Sequence, residues 1–290
     1  LTQYNAAVSI THGNFSFNQA DYFTTYPYQV GFSAYQAILL RLINSNWCLR
    51  VVNVVLSTAS VWLVYALAQK LKASRFTAQF AGMAYALFAT PIAYNGVLTN
   101  NIPGTFLTLL SLYLVIQAET RPLGWLWILL GGLVLSLSNF LRPDGLALFV
   151  AIAAYLVFGL FTPQWRTKLL HIAIVAVAYL GCNVALSGVV KTTGLSPLGM
   201  AVQNSYWKFS VGLDMSNNGA YSPRVVARTD MLTKKKHLSQ TAASKQITFE
   251  NLRALRRAGI GPVGRMAMSK QNIFWFGQGG LLFPLADLNL

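Results

Sequence analysis

The sequence predicts an all-α integral-membrane protein: a bundle of about six spanning helices with a juxtamembrane helix and a large extracytoplasmic loop region. The 290 residues are 54% hydrophobic and only 10% charged, with a mean hydropathy of +0.47, whereas soluble domains carry about 25% charged residues. Apolar helical stretches of about 17–25 residues, the length that crosses a bilayer, recur along the chain. Thirteen of the 22 Lys and Arg residues lie after residue 190, beyond these stretches.

A polar segment, residues 1–29, opens the chain and contains no Lys or Arg. It ends in an aromatic run that starts at Asp21, which is the only acidic residue before Glu119. The next segment, 30–45, is typical of a short helix and includes Arg41. Because a charge at the bilayer centre costs about 2.5–3.5 kcal/mol, we expect this helix to lie at the outer membrane surface instead of crossing it.

Six apolar stretches that are long enough to span the membrane follow. Four of them have a proline at or near the first turn, where the missing N–H costs nothing; these prolines are Pro103, Pro122, Pro143 and Pro163. The predicted spans are 47–69, 77–95, 102–118, 122–140, 143–161 and 167–189.

The charges of the loops predict the orientation, because short basic loops face the cytoplasm. Basic residues cluster in three short loops, 70–76, 119–121 and 162–168, which we therefore expect inside. The segments expected outside are 1–46, 95–101, 141–145 and everything after residue 190.

Three domains follow from this topology. We expect a first extracytoplasmic loop with its juxtamembrane helix at 1–46, a transmembrane helical domain at 47–190, and an extracytoplasmic loop region at 191–290 that leads to a truncated further span. Within the last region, 244–257 fits an amphipathic helix with apolar Ile247, Leu252 and Leu255, and 261–273 fits a second helix. Because the chain begins with Leu and its last ten residues resemble the start of another apolar segment, we expect a fragment of a longer protein.

Several classes of function lack their sequence signals. There is no P-loop, no dinucleotide glycine fingerprint and no His/Cys metal spacing. Cys48 and Cys182 lie in apolar helical stretches, which favours packing over a disulfide framework. The net charge of +15 indicates a phosphate-bearing partner, either lipid headgroups or a phosphate-linked substrate, and we expect no nucleic-acid partner.

Polar residues on the predicted outer face form the candidate site. A carboxylate there acts as a general base or holds a divalent metal, and Asp21 is the candidate within the chain. Arg and Lys side chains hold phosphate, and aromatic rings stack on sugars. The candidate substrate-binding residues are Tyr26, Tyr28, Gln29, Asn101, Arg142, Asp144, Trp207 and Lys270.

Each of these residues has an ordinary structural alternative. Asp21 is equally a solvated loop carboxylate. Arg142 and Asp144 are equally a local ion pair at a helix start, where a carboxylate interacts favourably with the helix dipole. Trp207 and the tyrosines fit membrane-interface anchors as well as substrate contacts.

The order and spacing of short motifs provide a further indication. They run from Ala6-Ala7 and Gly13-Asn14 to Tyr26-Pro27-Tyr28-Gln29, then through Asn53–Ser57, Tyr94-Asn95-Gly96, Asn101-Ile102-Pro103, Leu141-Arg142-Pro143-Asp144-Gly145, Tyr206-Trp207-Lys208, Asn218–Ser222 and Lys270 with Trp275-Phe276-Gly277. With these motifs the chain resembles the GT-C glycosyltransferases. The resemblance is to the branch of protein O-mannosyltransferases and lipid A aminoarabinose transferases, especially their Gram-positive bacterial relatives.

The resemblance implies a membrane glycosyltransferase with its active face outside the cytoplasm. It implies a polyprenyl-phosphate sugar donor, inversion at the anomeric carbon, an acceptor that is a cell-envelope glycan, lipid or protein, and contact with membrane lipids. The family's main catalytic carboxylate lies early in the first outer loop. Because no acidic residue precedes Asp21, we expect that carboxylate upstream of Leu1. No cofactor is assigned, and a divalent metal stays open.

Two other functions compete with this hypothesis. A transporter or flippase of lipid-linked or polar substrates normally has ionisable residues or broken helices at mid-membrane, and the predicted spans have essentially no central charges. A non-catalytic membrane assembly subunit is the other alternative.

Overall fold

The computed structural model describes residues 2–201, 204–218 and 222–276, with side chains as far as Gln271. Of the described residues, 80% are helical and none forms a strand. Within the same ranges, three helices are long and apolar enough to cross a membrane, Asn46–Lys70, Gly124–Leu141 and Trp165–Thr192, and two shorter apolar helices span Asn101–Gln117 and Gly145–Phe161. The predicted all-α membrane class is therefore confirmed, while the number of crossings stays a prediction.

The chain divides into two compact units, Leu1–Ala201 and Val202–Leu290. This division follows packing, whereas the predicted domains follow membrane sides, so those domains stay a prediction. The further apolar segment predicted at the end of the chain lies outside the described residues.

Three short helices open the first unit. They are α1 (Thr2–Thr11), α2 (Asp21–Thr25) and α3 (Val30–Leu42), with 3₁₀ turns at Ser16–Gln19 and Pro27–Gln29. Helix α3 confirms the predicted helix at 30–45, although it ends three residues earlier. Its buried residues include Phe32, Gln36 and Leu40, and it packs on α1. Its position at the membrane surface stays a prediction.

The predicted spans correspond to seven further helices of this unit: α4 (Asn46–Lys70), α5 (Arg75–Ala86), α6 (Ala89–Tyr94), α7 (Asn101–Gln117), α8 (Gly124–Leu141), α9 (Gly145–Phe158) and α10 (Trp165–Thr192). A 3₁₀ turn at Gly159–Phe161 extends α9. Helix α8 is central and packs along α7 and α10 around buried Ile128 and Leu135.

The single helix predicted at 77–95 is wrong, because the chain breaks between α5 and α6. Pro91 explains the break. Its ring nitrogen has no hydrogen for the carbonyl of Leu87, and the ring crowds that carbonyl, so a helix cannot run continuously past this point. The other five predicted spans are each confirmed as a helix.

The loops of the first unit gather at two ends. At one end, here the polar end, Asn100 Nδ2 donates to the Leu141 carbonyl oxygen at 2.9 Å, and Asn18 Nδ2 donates to the Gly194 carbonyl at 3.0 Å. At the other end, here the basic end, Lys70 Nζ donates to Thr120 Oγ1 at 3.1 Å, and Lys168 pairs with Glu119. The two groups of loops are those that the charges predicted, and which group faces the outside stays a prediction.

Gly31 lets α3 lie directly against the end of α8. A Cβ atom at this position would overlap the carbonyl oxygen of Phe140. We expect Gly31→Ala to lower the free energy of unfolding by about 1–3 kcal/mol, as overpacking does, and to loosen the N-terminal segment. Gly181→Ala is the matched control, because that helical glycine has open space around its Cβ position. Thermal unfolding in detergent measures both, and equal melting temperatures would contradict the expectation.

The second unit contains α11 (Trp207–Gly212), α12 (Pro223–Lys236), α13 (Gln240–Ala258) and α14 (Ile260–Phe276). Helices α12 and α13 form a hairpin, and the hydroxyls of Ser222 and Ser239 cap their N-termini. Both helices predicted in this region are confirmed. One assignment is wrong: Leu252 is 49% exposed instead of lying on the packed face of α13.

Candidate functional site

A chain of aromatic rings occupies the polar end of the first unit. The ring centroids of Tyr22 and Tyr26 are 5.7 Å apart, and those of Tyr26 and Tyr28 are 6.1 Å apart, both in edge-to-face geometry. Burial raises the pKa of the Tyr22 and Tyr28 hydroxyls, and the neighbouring tyrosines raise it further. These phenols therefore stay protonated at neutral pH and offer neutral hydrogen-bond donors beside ring faces.

Apolar packing holds this aromatic segment against the end of α8. Val30, two residues after Tyr28, is 1% exposed and lies in a cluster with Ala6, Phe23 and Val190, and Phe140 packs against that cluster. Helix α1 holds Gln29, whose Oε1 accepts a hydrogen bond from Gln3 Nε2 at 2.8 Å. The segment therefore lies at the same end of the unit as the turn that follows Phe140.

That turn carries Arg142 and Asp144, which form an ion pair. Arg142 Nε lies 2.8 Å from Asp144 Oδ2, and the two side chains are 39% and 45% exposed. The local ion pair considered from the sequence is thus present. An exposed pair of this kind contributes little to stability, about 0–1 kcal/mol, so both groups can be recruited by a ligand.

Asn139 fixes the backbone of the turn. Its Oδ1 accepts from the Gly145 N–H at 3.1 Å, and its Nδ2 donates to Asn183 Oδ1 at 2.8 Å. Asn183 in turn donates to the Tyr179 carbonyl at 2.7 Å. This satisfied amide network ties α8, the start of α9 and α10 together beneath Arg142.

The N-terminus of α7 lies beside the same turn. Asn100 binds the Leu141 carbonyl, and Asn101 Nδ2 donates to Thr99 Oγ1 at 3.3 Å. A Cβ atom on Gly104 would lie 3.0 Å from Arg142 Cβ and 3.1 Å from Cδ, so the stem of Arg142 crosses the first turn of α7. The aliphatic part of Arg142 therefore lies against the N-terminal end of a 17-residue helix, and both a guanidinium and a helix N-terminus interact favourably with anions such as phosphate.

An apolar groove of about 300 Å³ ends at this spot. It lies between α3, α4, α7 and α8, and Leu141, the residue before Arg142, belongs to its wall. Its lining includes Ile38, Val52, Phe106, Leu107 and Leu137. The groove therefore adjoins the turn that carries Arg142.

The other predicted site residues have different surroundings. Asp21 is exposed at the start of α2. Trp207 and Lys270 belong to the second unit, where Trp207 packs partly on the α12–α13 core. The Lys270 ammonium donates to the carbonyl of Gly212, the last residue of α11. Seven of the nine predicted residues thus lie at the polar end of the first unit: Asp21, Tyr26, Tyr28, Gln29, Asn101, Arg142 and Asp144.

Among the residues with described side chains, no group of three or more His, Cys, Asp or Glu residues could hold a metal ion.

Sequence reasoning missed the amide support of the turn, formed by Asn139 and Asn183. The signal was present, because polar side chains within apolar spans are expensive and usually have a function. It also missed Asp214, which is fully buried in the second unit. The Asp214 carboxylate accepts from Ser222 Oγ at 2.6 Å and from Ser216 Oγ at 2.8 Å, and Arg224 Nη2 lies 3.0 Å away.

The Asp214 cluster makes the stability of the second unit depend on pH. Burial alone raises the pKa of this carboxyl, but the hydrogen bonds from Ser222 and Ser216 and the charge of Arg224 outweigh it, so the net pKa is lowered. A carboxyl whose folded pKa is depressed stabilises the fold above its unfolded pKa and loses that contribution as the pH falls through the folded value.

We therefore expect hydrogen-exchange protection of α12 and α13, corrected for intrinsic rates, to fall below about pH 4, near the unfolded pKa of an aspartate. Asp214→Asn should cost about 1–3 kcal/mol at neutral pH and remove most of this acid dependence. Asp230→Asn, on the exposed side of α12, is the control. An unchanged acid profile in the Asp214 variant would contradict the assignment.

Comparison with known proteins now identifies the family. The profile of the dolichyl-phosphate-mannose-protein mannosyltransferase family matches residues 30–187, more than half of the chain. The chain belongs to this family. Dolichyl-phosphate-mannose-protein mannosyltransferases are membrane glycosyltransferases that use a polyprenyl-phosphate-linked sugar. The match begins at α3 and ends in α10, and it includes the groove and the Arg142 turn. Neither a search of curated proteins nor a search of solved structures gave a match.

Proposed function

We propose that this chain is a GT-C glycosyltransferase that moves a sugar from a polyprenyl-phosphate donor to a cell-surface acceptor outside the cytoplasm. The observation that carries the proposal is the junction at Arg142. Arg142 and the N-terminus of α7 lie beside an apolar groove, and we propose that these two groups bind phosphate. A polyprenyl phosphate has the same two parts, an anionic head joined to a hydrocarbon chain.

In the proposed reaction an acceptor hydroxyl oxygen attacks the anomeric carbon of the donor sugar. The bond from that carbon to the phosphate oxygen breaks, and its electron pair leaves with the phosphate. Arg142 stabilises the charge that develops there, and Asp144 orients the guanidinium through their ion pair. Attack opposite the leaving group inverts the anomeric carbon. The acceptor proton passes to a carboxylate, and Asp21 is the candidate within this chain.

Tyr26, Tyr28 and Gln29 are proposed to bind the sugar or the acceptor. Their phenols and amide supply hydrogen bonds, and the tyrosine rings supply faces for stacking. Trp207 and Lys270 stay predicted substrate contacts of the second unit. The Lys270 ammonium has three N–H donors, and its hydrogen bond to the Gly212 carbonyl uses one of them. The proposed acceptor is a cell-envelope glycan, lipid or protein.

A second candidate function is lipid translocation. A lateral groove of about 1000 Å³ lies along α4 and the broken pair α5–α6, lined by residues such as Trp62, Met83 and Asn95. Discontinuous helices beside a membrane groove are typical of transporters. This candidate predicts movement of a fluorescent polyprenyl phosphate across vesicles without chemical change.

Transfer from radiolabelled polyprenyl-phosphate sugars by the protein in lipid nanodiscs tests the main proposal. The assay uses mannose and other hexoses on the donor and a cell-envelope extract as acceptor. We expect labelled product with at least one donor. If labelled lipid moves across vesicles while no sugar is ever released, the glycosyltransferase proposal fails and translocation replaces it.

The groove makes a separate prediction about the donor chain. Leu107→Trp should fill part of the groove and raise the KM for long polyprenyl donors at least about tenfold, equivalent to about 1.4 kcal/mol of lost binding. A donor with a very short chain should be affected far less. Met83→Trp is the matched control, because it fills the larger groove instead. Equal effects on long and short donors would show that the chain lies elsewhere.

A further inference from the structure

The outward face of α13 combines exposed apolar side chains with basic ones. Phe249 is 46% exposed and Leu252 is 49% exposed. At 100° per residue, Lys245, Arg253 and Arg256 fall on the same face, and all three are exposed. The face therefore consists of two apolar side chains bordered by three cations.

Folding of the second unit uses this face at Lys245, whose ammonium lies 5.8 Å from the centroid of the Tyr206 ring, and leaves Phe249 and Leu252 exposed. Helix α13 packs on α12 through its opposite side, where Ala243, Ile247 and Asn251 are buried. Asn251 Nδ2 also donates to the Ser210 carbonyl at 2.8 Å. The exposure of Phe249 and Leu252 is thus a feature of the free side of the helix.

The charge of the region indicates what covers this face. Residues 202–290 contain twelve Lys and Arg against four Asp and Glu, so the partner is anionic. An acidic polymer would be held by the cations alone and would not require exposed Phe and Leu. A membrane surface uses both, because apolar side chains enter the acyl boundary while cations remain at lipid phosphates.

We propose that this face of α13 lies on a bilayer surface rich in anionic lipids. Phe249 and Leu252 insert below the headgroups, and Lys245, Arg253 and Arg256 bind lipid phosphates. The long side chains of these cations reach the phosphates from a helix that lies parallel to the surface. The proposal depends on the membrane nature of the protein and not on its transfer reaction.

Depth measurement on the full chain in nanodiscs tests the proposal. Cys48→Ser and Cys182→Ser remove the native thiols, and F249C then carries an environment-sensitive fluorophore. D230C, on the exposed side of α12, carries the same probe as the matched control. Discs contain either phosphatidylcholine alone or phosphatidylcholine with phosphatidylglycerol, and spin-labelled lipids report insertion by quenching.

We expect a blue shift and strong quenching at position 249 in anionic discs, and weak quenching at position 230. High salt should remove this difference in quenching between the two positions. Arg253→Gln and Arg256→Gln should each lower the ratio of membrane-docked to undocked α13 about fivefold. A probe at L252C replaces F249C if that variant does not fold. Equal quenching at 249 and 230, or quenching independent of lipid charge, overturns the proposal. If soluble polyglutamate shields the probe at position 249 from solvent and anionic lipid does not, the membrane proposal is overturned in favour of an acidic polymer.

Discussion

Replacing Arg142 by alanine is expected to lower kcat/KM for sugar transfer by about 10²–10³-fold, the usual effect of removing one preorganised donor from a developing anion. The reason is geometric. The stem of Arg142 lies against the first turn of α7 at Gly104, and Asn139 holds the backbone of its turn, so we expect the guanidinium to need little rearrangement to reach a phosphate near this helix end. Initial rates with a radiolabelled polyprenyl-phosphate sugar measure the effect.

The matched control is Arg228→Ala in the second unit. Arg228 has the same exposure as Arg142, 39%, and a comparable partner in Glu250 at 3.4 Å. Arg142→Lys should recover part of the activity, because an ammonium keeps the charge but loses the planar, two-pronged donor set. If Arg142→Ala and Arg228→Ala reduce transfer equally, Arg142 has no special role and the proposed phosphate site is wrong.

The largest expected effect on stability comes from Lys168 at the basic end. Its side chain is only 9% exposed and pairs with Glu119, whose side chain is 30% exposed and also accepts from the Tyr155 hydroxyl at 3.3 Å. Lys168→Met leaves the Glu119 carboxylate without its cation in a partly buried position. Breaking such a pair costs about 3–5 kcal/mol, and we expect the lower part of that range because Glu119 reaches solvent.

The double variant Lys168→Met/Glu119→Gln separates loss of the pair from loss of the lysine. Replacing both charges by groups of similar volume should restore most of the stability, since a buried pair contributes little beyond its own desolvation. Arg166→Met, two residues away and exposed over the Trp165 ring, is the control and should have a small effect. Thermal unfolding in nanodiscs provides the measurement, and a double variant no more stable than Lys168→Met would contradict this account.

The class of the protein and the positions of most of its helices could be predicted from the sequence alone. Apolar length and turn residues are local properties, so a window of about twenty residues is enough to recognise a span. The helix starts near Pro103 and Pro143 follow from the same local chemistry. The break before Pro91 was predictable by that rule too, and the strong apolar signal of the stretch obscured it.

Which polar groups contact each other, in contrast, could be learned only from the packed helices. The contact of Asn100 with Leu141 joins residues 41 positions apart, and the pair of Lys168 with Glu119 joins residues 49 apart. The use of Lys270 as a cap for α11 is likewise set by a partner 58 residues away. Hydrophobicity adds up along a continuous segment, whereas a hydrogen-bond partner depends on how distant helices pack, and no local pattern contains that information.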